Sequence, residues 1–169
     1  LTVGPPVLKV KPDFWTVATV DGSLCAHFEH TLAVTDGEAD VLLGFEPSET
    51  LRALNKCNLN TAVITNLAKL PSFTVTTGTA VYPDLDELQA LIRKKTAKLI
   101  AFDAAAMAVK AGNVLSVNMV LLGALIQTQT VPLSVETVKE AIVKRTRKAF
   151  VESNLKAFDL GFAAARELG

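Results

Sequence analysis

One short stretch of the sequence, CAHFEH, groups three side-chain types that bind transition metals. Cys25, His27 and Glu29 are spaced two residues apart. Because side chains alternate across a β-strand, these three would share one face of an extended segment, whereas His30 would point to the other. A thiolate, an imidazole and a carboxylate can bind zinc, but a closed site needs a fourth ligand, and none is evident. We therefore interpret the stretch as an ordinary strand and predict no metal site.

Two acidic residues stand where open α/β sheets bind ligands. Glu46 and Asp103 each follow a predicted buried strand, at its carboxyl end. A carboxylate there can bind a ribose hydroxyl, or it can cap the helix that follows. No glycine-rich phosphate loop accompanies either residue, which favours the capping role, most directly for Asp103 before Ala104–Lys110. Glu46 is retained as a candidate cofactor-binding residue.

Two further polar features each have a structural and a functional interpretation. Asn118 lies in the apolar segment NMVLLGALIQ and needs a hydrogen-bond partner, which a helix cap or a core contact would supply more readily than a ligand. It is the second candidate cofactor-binding residue. The segment KRTRK, Lys144–Lys148, places four cations in five residues. On a helix these spread over more than one face, so we expect a solvated surface, the alternative being contact with phosphate or an acidic partner.

Catalytic motifs are lacking in the sequence. There is no GxGxxG, Walker or GxSxG pattern, and Gly4 is followed by two prolines that cannot donate an N–H to phosphate. The two cysteines cannot ligate a four-cysteine iron–sulfur cluster, and they form no CxxC pair. We assign no catalytic residue and predict that no cofactor is held on this chain.

Composition and charge argue against some classes of function. The chain has 169 residues, 17 basic and 17 acidic, and half are hydrophobic; the mean hydropathy is +0.35. Balanced charge provides no field that attracts nucleic acid. No apolar run reaches the roughly 18 residues of a membrane helix, since Ser116 and Asn118 interrupt Val114–Ile126. We expect a cytoplasmic subunit of a larger assembly, with one domain over residues 1–169.

Hydrophobic periodicity predicts an α/β fold with a mostly parallel sheet and a helical C-terminal third. No regular element fits the first fifteen residues, where prolines are frequent. The expected strands are Asp40–Phe45, Thr61–Asn66 and Lys98–Asp103, with two short ones between Thr16 and Val34 around a turn at Asp21-Gly22, and TVTTG ending at Gly78. The expected helices start near Pro47, Tyr82 and Asp103, and then span Val114–Gln127, Val135–Thr146 and Phe150–Glu167.

Six segments in order resemble the gamma-type domain of 2-oxoacid:ferredoxin oxidoreductases. They are ADVLLGFEPSETLRAL, AVITN, VYPDLDEL, NMVLLGALIQ, PLSVETVKEAI and NLKAFDLGF, and the resemblance spans Gly22 to Gly161. Within that family, the GFEP-x-E-x-LR version followed by YPD is most similar to the smaller (beta) subunit of indolepyruvate oxidoreductases. The retained family positions are Glu46, Pro47, Glu49, Arg52, Tyr82, Pro83, Asn118 and Gly123.

This resemblance implies a Rossmann-like three-layer sandwich that serves as an accessory subunit. The enzyme it supports would decarboxylate an aryl 2-oxoacid oxidatively to its acyl-CoA and pass the electrons to ferredoxin. Thiamine diphosphate, iron–sulfur clusters and coenzyme A would then belong to the whole complex. The resemblance implies a large thiamine-binding catalytic subunit as the partner of this chain, with ferredoxin reached through the complex. A homodimer of this chain is a further expectation. The alternative is a stand-alone CoA- or nucleotide-binding Rossmann-type module without redox activity.

Two loops of the family have no counterpart in this sequence. Family members carry a GxGGQG-type loop after the first strand and an E-x-x-G-x-x-x-R-G-G-like loop before the strand matched by GSLCAHFEH. Here LTVG is followed by two prolines, and TVATV is followed directly by DGS. No ligand residue from either loop can therefore be assigned.

Overall fold

The computed structural model describes residues 8–10, 17–19, 30–34, 39–69 and 81–169, with side chains for 40–69 and 81–169. The chain divides into two compact units, one with residues 1–29 and 71–81 and the other with 30–70 and 82–169. In the first unit, β1 (Leu8–Val10) pairs antiparallel with β2 (Val17–Thr19). The prediction of no regular element before residue 16 is wrong for β1, because Pro6 and Pro12 leave room for three paired residues between them.

The second unit contains a four-stranded sheet in the order β3-β4-β5-β6. β3 pairs antiparallel with β4, whereas β4, β5 and β6 are parallel, which confirms the mostly parallel sheet. Cys25, His27, Glu29, the Asp21-Gly22 turn and TVTTG lie outside the described residues. The strands span His30–Val34, Ala39–Gly44, Cys57–Asn66 and Lys98–Phe102.

Six α-helices occur among the described residues, and none of them is long and apolar enough to cross a membrane. The predicted buried helix from Val114 is wrong in its first turn. Val114 and Leu115 lie in a separate 3₁₀ turn and are 60% and 80% exposed, since Asn113 caps that turn by accepting the Leu115 N–H. The helices are α1 (Pro47–Ala53), α2 (Leu85–Lys95), α3 (Ala104–Ala111), α4 (Val117–Gln127), α5 (Val135–Arg145) and α6 (Lys148–Leu168).

Alternate residues of the central strands face two different layers of helices. Leu42, Val63 and Leu99 lie side by side in register and pack against α1 and α2. The next residues along the strands, including Ile64 and Ile100, pack against α3, α4 and α6. This alternation follows from the two-residue repeat of a strand buried on both faces. The predicted three-layer sandwich is therefore confirmed.

Local sequence signals determine where several helices begin and end. Asp103 accepts the Ala106 N–H at the start of α3, as predicted, at 2.8 Å. Ser134 accepts the Thr137 N–H at the start of α5 at 3.1 Å. Gly112 ends α3 in the left-handed region, with φ of 100°, where a residue without Cβ is favoured. The residues at which these helices begin and end are thus determined by the local sequence.

Helices α4 and α6 approach so closely that their backbones meet at two glycines. A Cβ on Gly123 would lie 2.0 Å from the Phe158 carbonyl oxygen, and one on Gly161 would lie 1.8 Å from that of Val120. Phe158 and Ala165 of α6 are fully buried. The two glycines therefore set the distance between the helices that cover one face of the sheet.

Gly161→Ala should cost about 1–3 kcal/mol in packing, because the new methyl group must displace a backbone carbonyl rather than a flexible side chain. Alanine returns about 1 kcal/mol in helix propensity, so we expect a net destabilisation of up to about 2 kcal/mol. Urea unfolding followed by far-UV circular dichroism measures the change.

Gly112→Ala is the matched control, since nothing lies within 4 Å of a Cβ there. It carries only the conformational penalty of a positive φ, about 1 kcal/mol. If Gly161→Ala were as stable as the original chain, the close approach of α4 and α6 would not be a constraint.

Candidate functional site

Asn66, the last residue of β5, connects the ends of all three parallel strands. Its side-chain N–H donates to the Phe45 carbonyl oxygen at 3.0 Å, beyond the end of β4. Its side-chain oxygen accepts from the Ala68 N–H at 3.1 Å and from the Ala104 N–H at 2.9 Å, at the start of α3. Asn66 is only 3% exposed. One buried amide thus holds the three strand-to-loop crossings at the edge where open α/β sheets bind ligands.

Two threonines extend this network toward α1. The hydroxyls of Thr50 and Thr65 lie 2.7 Å apart, and Thr50 donates to the Glu46 carbonyl oxygen at 2.8 Å. The Thr65 hydroxyl can donate either to Thr50 or, at 3.3 Å, to the Asn66 carbonyl oxygen, because a hydroxyl has one proton. Gly44 makes room for this pair, since a Cβ there would lie 1.8 Å from the Thr50 oxygen. The crossing from β4 to α1 is held by internal hydrogen bonds.

Glu46 caps α1 and also anchors Tyr82. One carboxylate oxygen accepts the Glu49 N–H at 3.0 Å, and the other accepts the Tyr82 hydroxyl and, at 3.4 Å, the Ser48 hydroxyl. Glu46 is 8% exposed. The predicted capping role is confirmed. Both carboxylate oxygens accept hydrogen bonds from groups of this chain. The cofactor-binding role of Glu46 stays a prediction, and it would require these hydrogen bonds to break.

The environment of Tyr82 favours its neutral form. Partial burial, followed by the hydrogen bond to the Glu46 carboxylate, raises the pKa of Tyr82 to about 12 from its ordinary value of 10.0. The Lys69 ammonium lies 5.4 Å from the centroid of the tyrosine ring. Tyr82 is a hydrogen-bond donor at neutral pH, and it ties the chain just before α2 to the start of α1.

The other predicted site residues are not brought to this network by any hydrogen bond among the described residues. Asp103 is exposed and caps α3, at the same edge as Glu46. Asn118 is exposed rather than buried in the core, and its side-chain oxygen accepts the Met119 N–H at 3.0 Å, a local contact near the start of α4. Its cofactor-binding role also stays a prediction.

The basic segment Lys144–Lys148 lies across a helix junction, close to the gap that the sequence predicts between Thr146 and Phe150. α5 ends at Arg145, Thr146 adopts an extended conformation, and α6 begins at Lys148. The extended Thr146 turns the chain between the two helices, so the four cations straddle a junction. All four side chains are exposed in this chain.

The polar groups at the sheet edge are engaged with one another and with the backbone. The hydroxyl, amide and carboxylate groups are paired with one another, and no cluster of three potential metal ligands occurs within residues 40–69 and 81–169. Cys57 is half-buried at the start of β5, the end opposite Asn66. These hydroxyl, amide and carboxylate groups therefore serve to hold the strand-to-helix crossings in place.

Sequence reasoning missed Asn66 and Tyr82, and also the Thr50–Thr65 pair that extends this network. Asn66 was assigned only as the end of a strand, although a polar residue ending an apolar run is a signal for a satisfied buried amide. Tyr82 was assigned only as part of a family motif. It is the only tyrosine of the chain, but its pairing with Glu46 depends on the tertiary fold.

Comparison with known proteins identifies relatives over most of the chain. A family profile described as pyruvate ferredoxin/flavodoxin oxidoreductase matches residues 25–164. Over 136 residues the chain is 45% identical to the indolepyruvate oxidoreductase subunit IorB of Pyrococcus horikoshii, covering 80% of this chain and 67% of that relative. The chain thus spans about two thirds of the length of this curated relative.

A solved structure and a second group of relatives complete the comparison. The gamma subunit of keto/oxoacid ferredoxin oxidoreductase from Geobacter sulfurreducens superposes with a TM-score of 0.56 at 23% identity, over 80% of this chain and 69% of that one. This likeness supports the fold. Methionine aminopeptidase 1 of Bacillus subtilis is 50% identical over only 42 residues, which are 25% of this chain and 17% of that enzyme. So short a match assigns no family.

Asn66→Ala should destabilise the protein by about 2–4 kcal/mol, because it leaves two N–H groups and one carbonyl oxygen unpaired in a buried place. Urea unfolding measures the loss. Asn58→Ala is the control: its side chain accepts the exposed Asn60 N–H, and its loss should cost less than about 1 kcal/mol. Equal losses for the two variants would argue against the role of Asn66.

The titration of Tyr82 can be followed directly by phenolate absorbance, because the chain has one tyrosine. We expect a midpoint at about pH 12, and Glu46→Gln should lower it by removing the carboxylate. Stability contributed by the neutral phenol should be complete below pH 10.0 and lost as the pH rises toward 12, since the unfolded chain releases the proton first. A midpoint near 10 in folded protein, verified by circular dichroism, would contradict the Glu46 contact.

Proposed function

Because this chain belongs to the pyruvate ferredoxin/flavodoxin oxidoreductase family, we propose that it is the accessory, gamma-type subunit of a thiamine-dependent 2-oxoacid:ferredoxin oxidoreductase. The substrate is indolepyruvate or another aryl pyruvate, which the complex decarboxylates oxidatively to the acyl-CoA. The proposal takes residues 1–169 as one gamma-type domain and places the complex in the cytoplasm.

The observation that carries this proposal is the similarity to a protein named as a subunit of indolepyruvate oxidoreductase, at 45% identity over 80% of the chain. The family profile over residues 25–164 supports the same reaction class independently. The likeness to a gamma subunit of an oxoacid oxidoreductase supports the fold on which the role depends.

The side chains of this protein support a non-catalytic role within that complex. An iron–sulfur cluster needs four thiolates, and this chain has two cysteines, so its donor set does not fit a cluster. At the sheet edge, Glu46 and Asn66 are engaged in internal hydrogen bonds. We therefore assign thiamine diphosphate and the clusters to a large catalytic subunit, which passes the electrons to ferredoxin.

Activity should appear only when this chain and the large thiamine-binding subunit are produced together. The assay is indolepyruvate- and CoA-dependent reduction of a viologen dye, compared with pyruvate as substrate. We expect background reduction by either subunit alone and faster reduction with indolepyruvate by the complex. Gly112→Ala, at an open surface position, serves as the control variant and should leave the rate unchanged.

Two results would overturn the proposal. Full activity of the large subunit without this chain would remove the accessory role. Saturable micromolar binding of CoA or a nucleotide to the lone chain, measured by calorimetry with no partner and no gain of oxidoreductase activity, would favour a stand-alone binding module.

A further inference from the structure

The surface between α5 and α6 carries a basic cluster that internal structure does not explain. We call Lys144, Arg145, Arg147 and Lys148 the junction cluster. They are four of the 17 basic residues of a chain whose net charge is zero, and all four are exposed. A positive patch on an otherwise balanced protein acts at short range, through complementarity with a facing surface, rather than by a long-range field.

The helix dipole accounts for half of the junction cluster only. Lys144 and Arg145 lie in the last turn of α5, where a cation is favourable. The same reason explains the exposed cations Lys94 and Lys95 at the end of α2. Arg147 and Lys148 lie instead at the start of α6, where the dipole is positive.

The start of α6 offers no compensation for these two charges. Its first turn has no acidic residue, and its N-cap makes no side-chain hydrogen bond. Two cations at this end cost stability in the lone chain. An external group of negative charge would offset that cost.

Acidic neighbours do not neutralise the junction cluster. Lys144 pairs with Glu140 at 3.1 Å, but both side chains are about 70% exposed, so this pair is screened by water. Within the described part of the chain, no ion pair forms at Arg145, Arg147 or Lys148. Glu152, one turn beyond Lys148, forms none either.

Exposed apolar side chains flank the cluster on both helices. Val143 of α5 is 49% exposed and Phe150 of α6 is 43% exposed. Arginine and aromatic side chains are enriched in protein interfaces and among the residues that contribute most to binding. This pairing fits a protein surface better than a small anion.

We propose that the junction cluster is a docking surface for an acidic face of the partner subunit. The inference rests on the proposed function, which supplies that partner, and adds where on this chain it binds. Arg147 and Lys148 gain from the partner the negative charge that α6 lacks at its start, while Phe150 supplies apolar contact.

The test compares two double variants with the same change in net charge. Arg147→Glu/Lys148→Glu reverses the charge at the start of α6, and Lys94→Glu/Lys95→Glu does so at the end of α2. Association of each chain with the purified large subunit is measured by biolayer interferometry at low and at high ionic strength, about 50 mM and about 500 mM NaCl.

We expect Arg147→Glu/Lys148→Glu to raise Kd by at least about tenfold at low salt, with a smaller effect at high salt. Its Tm should be unchanged or higher, because acidic residues suit a helix N-terminus. Weaker assembly with an equally or more stable fold cannot result from misfolding. The α2 variant should bind as the original chain does.

Three results would overturn the inference. Equally weakened binding of both variants would show that the effect comes from the net charge of the chain and not from the junction cluster. Unchanged binding by Arg147→Glu/Lys148→Glu, while the original chain assembles normally, would reject the docking surface and leave the proposed function intact. Failure of the original chain to bind the large subunit would remove the proposed function and the docking surface together.

Discussion

The approach of α4 to α6 at Gly123 and Gly161 determines how one face of the sheet is covered. Because the two backbones touch, little space remains beneath them, and the layer facing Ile64 and Ile100 is rich in alanine. Larger side chains are displaced toward α5, where Phe158 is fully buried and its ring centroid lies 6.3 Å from that of Phe162. The low aromatic content of the chain, 6%, agrees with such a core.

At the carboxyl edge of the sheet, polar groups that could face a ligand are directed at the backbone instead. Asn66 spans from Phe45 to Ala104, and Glu46 joins α1 to Tyr82. This gives each crossing a fixed geometry without leaving an unpaired buried donor. Under the proposed function, such an edge supports the shape of a complex whose reaction takes place on another subunit.

Local signals predicted most of the second unit. The apolar run Asp40–Phe45 and the cap Asp103 depend on neighbours within a few residues, so the local sequence is sufficient to find them. The contact of Tyr82 with Glu46 could not be predicted, because it joins residues 36 positions apart. Gly123 appeared in the sequence only as part of a motif, and its packing role needs the partner helix.

The distribution of helices also governs how this chain folds as it leaves the ribosome. The helices that connect the parallel strands, α1 and α2, cover one face as soon as the sheet forms, but the opposite face is covered by α3, α4 and α6. At about 5–20 residues per second, the last of these follows β6 by several seconds. During that interval Val41, Leu43 and Ile100, which are buried in the folded chain, still lack part of the helical layer that covers them.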